Sequence, residues 1–168
     1  LVIPRTTNLT VEILTTLLKG LPQLLQLDVS SCPLLSNISC LIQTKKLMKL
    51  GLYELKLSMN VDELTDTLAS LKDLRVLDIG KATNYGINLT SIICDRILKK
   101  KSSPWPKLAC IDISDVDKEQ SSIGIEHMKI IMERHDKMQT VCLIGTQLDW
   151  HDLSLYPWIK DSVQICNY

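Results

Sequence analysis

The stretch "LPQLLQLDVSSCP" at residues 21–33 is written again, with changes, as "LKDLRVLDIG" at 71–80 and "WPKLACIDIS" at 105–114. Each contains an aliphatic–polar–aliphatic triplet: Leu27-Asp28-Val29, Leu77-Asp78-Ile79 and Ile111-Asp112-Ile113. In a short strand this alternation sends both aliphatics to one face and the residue between them to the other. The leucine three places earlier turns inward from the loop before the strand. A core built from such phrases is layered and aliphatic, and the composition agrees, with 29 leucines and no phenylalanine in 168 residues.

Written in full, Leu24-x-x-Leu27-x-Val29-x-x-Cys32 follows the leucine-rich repeat template L-x-x-L-x-L-x-x-N/C. Leu52-x-x-Leu55-x-Leu57-x-x-Asn60 matches it fully. Leu74-x-x-Leu77-x-Ile79-x-x-Ala82 and Leu108-x-x-Ile111-x-Ile113-x-x-Val116 keep the aliphatics and replace the last letter. Met138-x-x-Val141-x-Leu143-x-x-Thr146 is a looser fifth copy, and Leu1 and Ile3 read as the remnant of an earlier one. Counted from Leu27, the steps to Leu55, Leu77, Ile111 and Val141 are 28, 22, 34 and 30 residues. The terminal Asn or Cys satisfies backbone groups where the chain leaves the strand ladder. Three or four buried aliphatics per turn, at roughly 1.5–3 kcal/mol each, cannot hold one turn alone, so the turns must stack.

Between the strands the period becomes helical. "TVEILTTLLKG" places Val11, Leu14, Leu17 and Leu18 on one face, with Thr10 to cap and Gly20 to stop. "VDELTDTLASL" does so with Val61, Leu64, Leu68 and Leu71, "LTSIICDRILKK" with Leu89, Ile93, Cys94 and Ile97, and "IGIEHMKIIMERH" with Ile123, His127 or Met128, and Ile131. Residues 36–51 read as a short helix feeding the second strand. "SSPWPKLAC" is a loop punctuated by Pro104 and Pro106, with Trp105 covering a core edge. The expected fold is an α/β leucine-rich repeat solenoid, with a curved parallel sheet on its concave face and helices on its convex face. Residues 1–149 form five to six irregular repeats; 150–168 read as a C-terminal cap or the start of a following module.

Charge excludes little and favours nothing: 19 basic residues balance 19 acidic ones, so no global field draws nucleic acid or anionic membrane. Lys99-Lys100-Lys101 ends a predicted helix, where cations complement the dipole. No apolar run approaches the ~20 residues that span a bilayer. With neither an initiator Met nor a signal-like segment, the chain reads as an excised piece or mature product. Its six cysteines, Cys32, Cys40, Cys94, Cys110, Cys142 and Cys166, lack C-x-x-C spacing and fall on repeat, helix and strand positions. They read as reduced, mostly buried thiols of an intracellular protein. Against that stand N-x-[ST] sequons at Asn8, Asn37 and Asn88. His127, His135 and His151 have no zinc-binding spacing, and neither G-x-S-x-G nor a glycine-rich phosphate loop is present. No catalytic site, metal or cofactor is expected.

The polar residues between the strand aliphatics are the candidate binding surface. They are Asp28 and Ser30, then Glu54 and Lys56, then Val76 and Asp78, then Cys110, Asp112 and Ser114, and finally Cys142. Strands ~4.8 Å apart turn equivalent positions into ladders. The expected central ladder is Asp28, Lys56, Asp78, Asp112, Cys142, with the lysine easing repulsion between acids. Two readings stand side by side: solvated repeat grammar, or a mildly acidic groove for a basic or polar peptide. The apolar end, with Val76, Cys110, Cys142 and Ile144, suits protein contact better than an RNA or sugar ligand.

"LPQLLQLDVSSCPLL", "LKDLRVLDIGKA", "WPKLACIDISD" and the closing "MQTVCLIGTQLD" resemble the repeat segment of the Zyg/Zer proteins, substrate receptors of cullin-RING ubiquitin ligases. The resemblance spans about residues 20–150. It implies a non-catalytic protein-interaction module, with cullin and elongin contacts made through flanking regions. It also implies armadillo-like helices after the repeats, with which recognition of N-terminal glycine degrons is associated, so no degron-binding residue carries over here. The alternatives are a stand-alone repeat scaffold or inhibitor gripping a protein on its concave face, and a secreted glycosylated recognition domain.

Overall fold

A computed structural model of the chain describes residues 1–98, 103–115, 121–135, 137–148 and 164–166. In chain order the elements begin with α1 (Val11–Lys19), β1 (Gln26–Asp28), a 3-10 turn (Ser39–Gln43), β2 (Lys49–Gly51) and β3 (Lys56–Leu57). They continue with α2 (Val61–Ala69), β4 (Val76–Asp78), β5 (Thr83–Asn84), β6 (Ile87–Asn88) and α3 (Leu89–Ile93), which runs on as a π-type turn over Cys94–Leu98. Last come β7 (Cys110–Asp112), α4 (Ile125–Arg134), β8 (Thr140–Cys142) and β9 (Gln164–Cys166).

Strands β1, β2, β4, β7, β8 and β9 lie side by side in that order, all parallel. Leu27, Leu50, Leu77, Ile111 and Val141 are paired across them, and each is buried. Two residues on, Val29, Leu52, Ile79, Ile113 and Leu143 form a second buried row. Leu1 and Ile3 do start one more rung, because Asp28 N donates to Leu1 O and Ile3 N to Asp28 O. β9 shows that the tail beyond 150 adds a strand to the same sheet.

The second turn departs from the expected register. The strand is Lys49–Gly51, 23 residues after β1, and not the stretch around Leu55. "LMKLGLYELKLSMN" holds two overlapping phrases, Leu47-x-x-Leu50-x-Leu52 and Leu52-x-x-Leu55-x-Leu57, and all five leucines are buried. Met48 N and Lys49 N both donate to Leu25 O, so the first phrase takes the ladder. The second leaves the main sheet: β3 pairs with β5, which forms a hairpin with β6 through Tyr85 and Gly86. Both turn residues have positive φ (49° and 78°), as a two-residue primed turn requires. Asn60, which completed the second phrase, instead accepts from Asp62 N and Glu63 N as the cap of α2.

The helices follow the periodicity closely. Leu14 and Leu18 of α1, Leu64 and Leu68 of α2, and Met128 and Ile131 of α4 are buried, whereas Leu17 lies at the surface. Thr10 caps α1 by accepting from Ile13 N. Trp105 does more than cover an edge: it is fully buried, its Nε1 donates to Leu68 O at 2.9 Å, and its ring stacks on His135.

Polar side chains also tie turn to turn, Cys32 and Asn84 among them. Cys32 Sγ donates to Ile3 O of the preceding rung, as the template letter demands. Asn84, which the template does not mark, is buried and exchanges two 3.0 Å hydrogen bonds with the backbone of Met59, accepting from its N–H and donating to its carbonyl. Replacing Asn84 by Leu strands both Met59 groups away from water. At roughly 1–3 kcal/mol per orphaned group, urea unfolding should show a loss of about 2–5 kcal/mol. A loss below ~0.5 kcal/mol would show that Asn84 does not join the turns.

Candidate functional site

One face of the sheet packs on the helices and the other is open. The in-register strands set its side chains in rows. The first row is Gln26, Lys49, Val76, Cys110 and Thr140; the second is Asp28, Gly51, Asp78, Asp112 and Cys142. Asp78 and Asp112 are therefore direct neighbours, and Asp28 is separated from Asp78 by a glycine. Lys56 does not stand among them. It is exposed on β3, outside the main sheet, because the strand of that turn lies seven residues earlier.

Each aspartate also has a local task. Asp28 Oδ1 accepts from Ser30 N at 2.9 Å, Asp78 Oδ1 from Gly80 N at 3.1 Å, and Asp112 Oδ1 from Ser114 N at 2.8 Å. These Asx turns satisfy the backbone where the strand ends. The second carboxylate oxygen is left for the open face. Neither Gly51 nor Gly80 has room for a side chain. A Cβ on Gly51 would sit 2.8 Å from Asp28 Oδ1, and one on Gly80 would collide first with Ser114 Oγ and sit 2.9 Å from Asp112 Oδ1 and 3.0 Å from the Tyr53 ring. Thus Asp28 leans over Gly51 towards Asp78, and Asp112 leans towards β4 from the other side. A depression of about 240 Å³, lined by Asp28, Lys49, Gly51, Val76 and Asp78, opens over the glycine.

Crowding tells on Asp78. Burial first, then the adjacent Asp112 and more weakly Asp28, push its carboxyl up to about 6, against the opposing hydrogen bond from Gly80. Val76, Cys110 and Cys142 are half-buried on the open face. Ser30 and Ser114 are not available there: both are buried, and Ser30 Oγ accepts from Tyr53 N at 3.1 Å. Glu54 lies beyond the strand end, in a positive-φ turn (56°), where its Oε2 accepts from Ser31 Oγ at 3.0 Å. Lys81 in the next turn stands over the Tyr53 ring, 5.4 Å from its centre.

Gly51 and Lys49 were absent from the expected surface. Their signal was the overlapping phrase on Leu47, Leu50 and Leu52, whose spacing is as good as that of the phrase preferred.

Among the described residues no group of three or more His, Cys, Asp or Glu side chains is arranged to hold a metal ion, and no helix is long and apolar enough to cross a membrane. His127 Nδ1 accepts from Gly124 N, while His135 is buried beside Trp105. Two sequon asparagines have structural tasks. Asn37 Oδ1 accepts from Ser39 N, and Asn88 caps α3 through Oδ1 while its Nδ2 donates to Asp115 Oδ2. Cys32 and Cys40 are buried, and burial pushes the Cys40 thiol up. His151, the Lys99–Lys101 run and Val116 lie outside the described residues.

Comparison with protein families matches residues 15–155 to the Zer-1-like leucine-rich repeats. The chain belongs to that family. No curated protein matches it. Among the described elements the Zer-1-like match leaves out only β9 and the first four residues of α1, so the open face is that of a protein-interaction repeat module.

The Asp78 carboxyl has a measurable signature. Its native value of about 6 lies above its ordinary 3.8, so between those values the folded chain holds more proton than the unfolded one. Stability therefore falls as pH rises through this window and stays lower at pH 7. Asp78→Asn keeps the oxygen that Gly80 needs. Discounted for partial exposure, the change should raise the melting midpoint at pH 7 by about 2–4 °C, the shift that ~1 kcal/mol makes in a domain this size. The gain should vanish below about pH 4. A variant less stable than the parent at pH 7 would contradict this.

Proposed function

We propose that this Zer-1-like repeat array is a non-catalytic recognition module of a cullin-RING ubiquitin ligase substrate receptor, and that it binds protein on the open face of its sheet. In this reading the stack is a curved solenoid and that face is concave. What carries the site is the run Asp28, Gly51, Asp78, Asp112, in which Asp28 and Asp78 flank a notch over Gly51 and Asp112 stands next to Asp78 in the row. Charge complementarity favours a lysine or arginine of the partner entering the notch, with Val76, Cys110 and Cys142 offering apolar contact beside it. A cationic partner also relieves the repulsion that burdens Asp78. Cullin and elongin are reached through segments flanking the repeats, and the buried Cys32 and Cys40 suit an intracellular compartment.

The family match supports the interaction role, and the ligase assignment extends it. The test is an immobilised chain beside one carrying Asp78→Arg and Asp112→Arg, each exposed to extract and analysed by mass spectrometry. A partner retained by the parent should fall by about tenfold or more on the variant, as expected for reversing charges at the centre of a contact. Its cellular half-life should lengthen when the chain's gene is silenced. A partner equally retained by both columns would remove the open face from recognition. One whose half-life is unchanged would contradict the ligase role.

A further inference from the structure

The carboxylates of the open face are held at fixed places. Each gives its Oδ1 to the backbone two residues on, Asp28 to Ser30, Asp78 to Gly80 and Asp112 to Ser114. Register then sets their spacing along the row Asp28, Gly51, Asp78, Asp112, Cys142, one residue per turn at ~4.8 Å. Two gaps between acids result. The first is the notch over Gly51, between Asp28 and Asp78. The second lies between Asp78 and Asp112, one and a half turns from the first, or ~7 Å.

Beyond Asp112 the face turns apolar. Cys142 and Ile144 are both half-buried and the Leu143 between them is buried, so alternation puts the pair on the open side. Cys110 adjoins them on the neighbouring strand, half-buried too. Cys142 lies three turns from Gly51, or ~14 Å. The row is flanked at both ends by a further rung, the bridge at Val2 beyond β1 and β9 beyond β8.

An extended chain laid across the strands turns alternate side chains to one surface every ~6.6 Å. Its residues i, i+2 and i+4 therefore fall on the two acidic gaps and the apolar patch, with an accumulated mismatch of about 1 Å. One face of a helix returns at ~5–6 Å and again at ~10.5 Å, which misses the third position.

We propose that the open face reads an extended protein segment with two basic side chains at alternate positions and an apolar one two places beyond, in either chain direction. This deepens, and rests on, the assignment of that face to protein recognition. The first cation sits between Asp28 and Asp78, the second between Asp78 and Asp112, and the apolar group on Cys110, Cys142 and Ile144. Lys49 also lines the notch and is exposed, so it opposes the first cation. Nucleic acid and anionic lipid are disfavoured, because their phosphates would face a row of carboxylates.

The experiment is fluorescence anisotropy on the whole chain with labelled serine-rich peptides. One carries lysine-serine-lysine-serine-leucine, and a second the same five residues in reverse order. A third carries lysine-lysine-serine-serine-leucine, and a fourth has serine in place of the leucine. At least one of the first two should bind saturably, and more weakly as salt is raised. It should bind about fivefold or more tighter than the third or the fourth. Asp28→Asn and Asp112→Asn keep the oxygen that the backbone needs, and each should weaken binding by about threefold or more. In double-mutant cycles Asp28 should couple to the lysine far from the leucine, Asp112 to the nearer one, and Ile144→Ser to the leucine itself. Should Ile144→Ser not fold, as judged by circular dichroism, Cys142→Ser decides. Lys49→Gln should tighten binding. No saturable binding of either order, equal binding of the third peptide, or both aspartates coupling to one lysine would overturn the spacing. The open face would still stand as a contact surface if the column carrying Asp78→Arg and Asp112→Arg loses its partner. Binding that keeps the spacing preference but ignores Asp28, Asp112 and Lys49 would overturn the proposal and the open face with it.

Discussion

Every surface of this protein depends on one constraint: a parallel strand can join the stack only where its buried aliphatic lands on that of the previous turn. Leu27, Leu50, Leu77, Ile111 and Val141 meet it, and the backbone ladder runs through them. A slip of one residue would send each of these side chains to water and the polar ones inward. Each strand pairing spans only three residues, so the ladder gains strength from accumulation along the stack. Bonds that hold turns together outside the strands, such as those from Cys32 and Asn84, work because the register brings those groups within reach.

The same constraint sorts charge. An electrically neutral chain, read linearly, has no field. Folded in register it presents an acidic row on the open face and lysines and an arginine along the lead-in loops, each assembled from several turns. Neither set is continuous in sequence. The glycines matter in proportion: Gly51 and Gly80 let Asp28 and Asp112 lean into the gap, so the acidic groups crowd where a bulkier residue would have spaced them. Burial, and with it repulsion from Asp112 and Asp28, makes an ionised Asp78 costly to the folded chain.

Much of the architecture was legible in the residues because strand and helix each write a period. The aliphatic triplets located β1, β4, β7 and β8, and the helix faces on Leu14, Leu64 and Ile131 hold. What misled was a stretch that supports two phasings. Five leucines from Leu47 to Leu57 write two phrases that share Leu52, and the full template ending in Asn60 looked the stronger. Asn60 is as good a helix cap as it is a repeat letter, and the structure uses it as a cap. That one slip misplaced Glu54 and Lys56, and hid Gly51 and Lys49. Long-range partnerships such as Asn84 with Met59, or Trp105 with Leu68, leave no local period to read. The lysines of the lead-in loops escaped for the same reason, lying a turn apart in space but more than twenty residues apart in sequence.

The register of the second turn is the hinge of the account, and nuclear Overhauser contacts between backbone protons test it directly. Contacts from Lys49, Leu50 and Gly51 to Gln26, Leu27 and Asp28 on one side, and to Val76, Leu77 and Asp78 on the other, are the predicted result. Contacts of Leu55 and Lys56 with Leu27 and Asp28 would contradict it. They would put a lysine between the acids and dissolve the notch over Gly51.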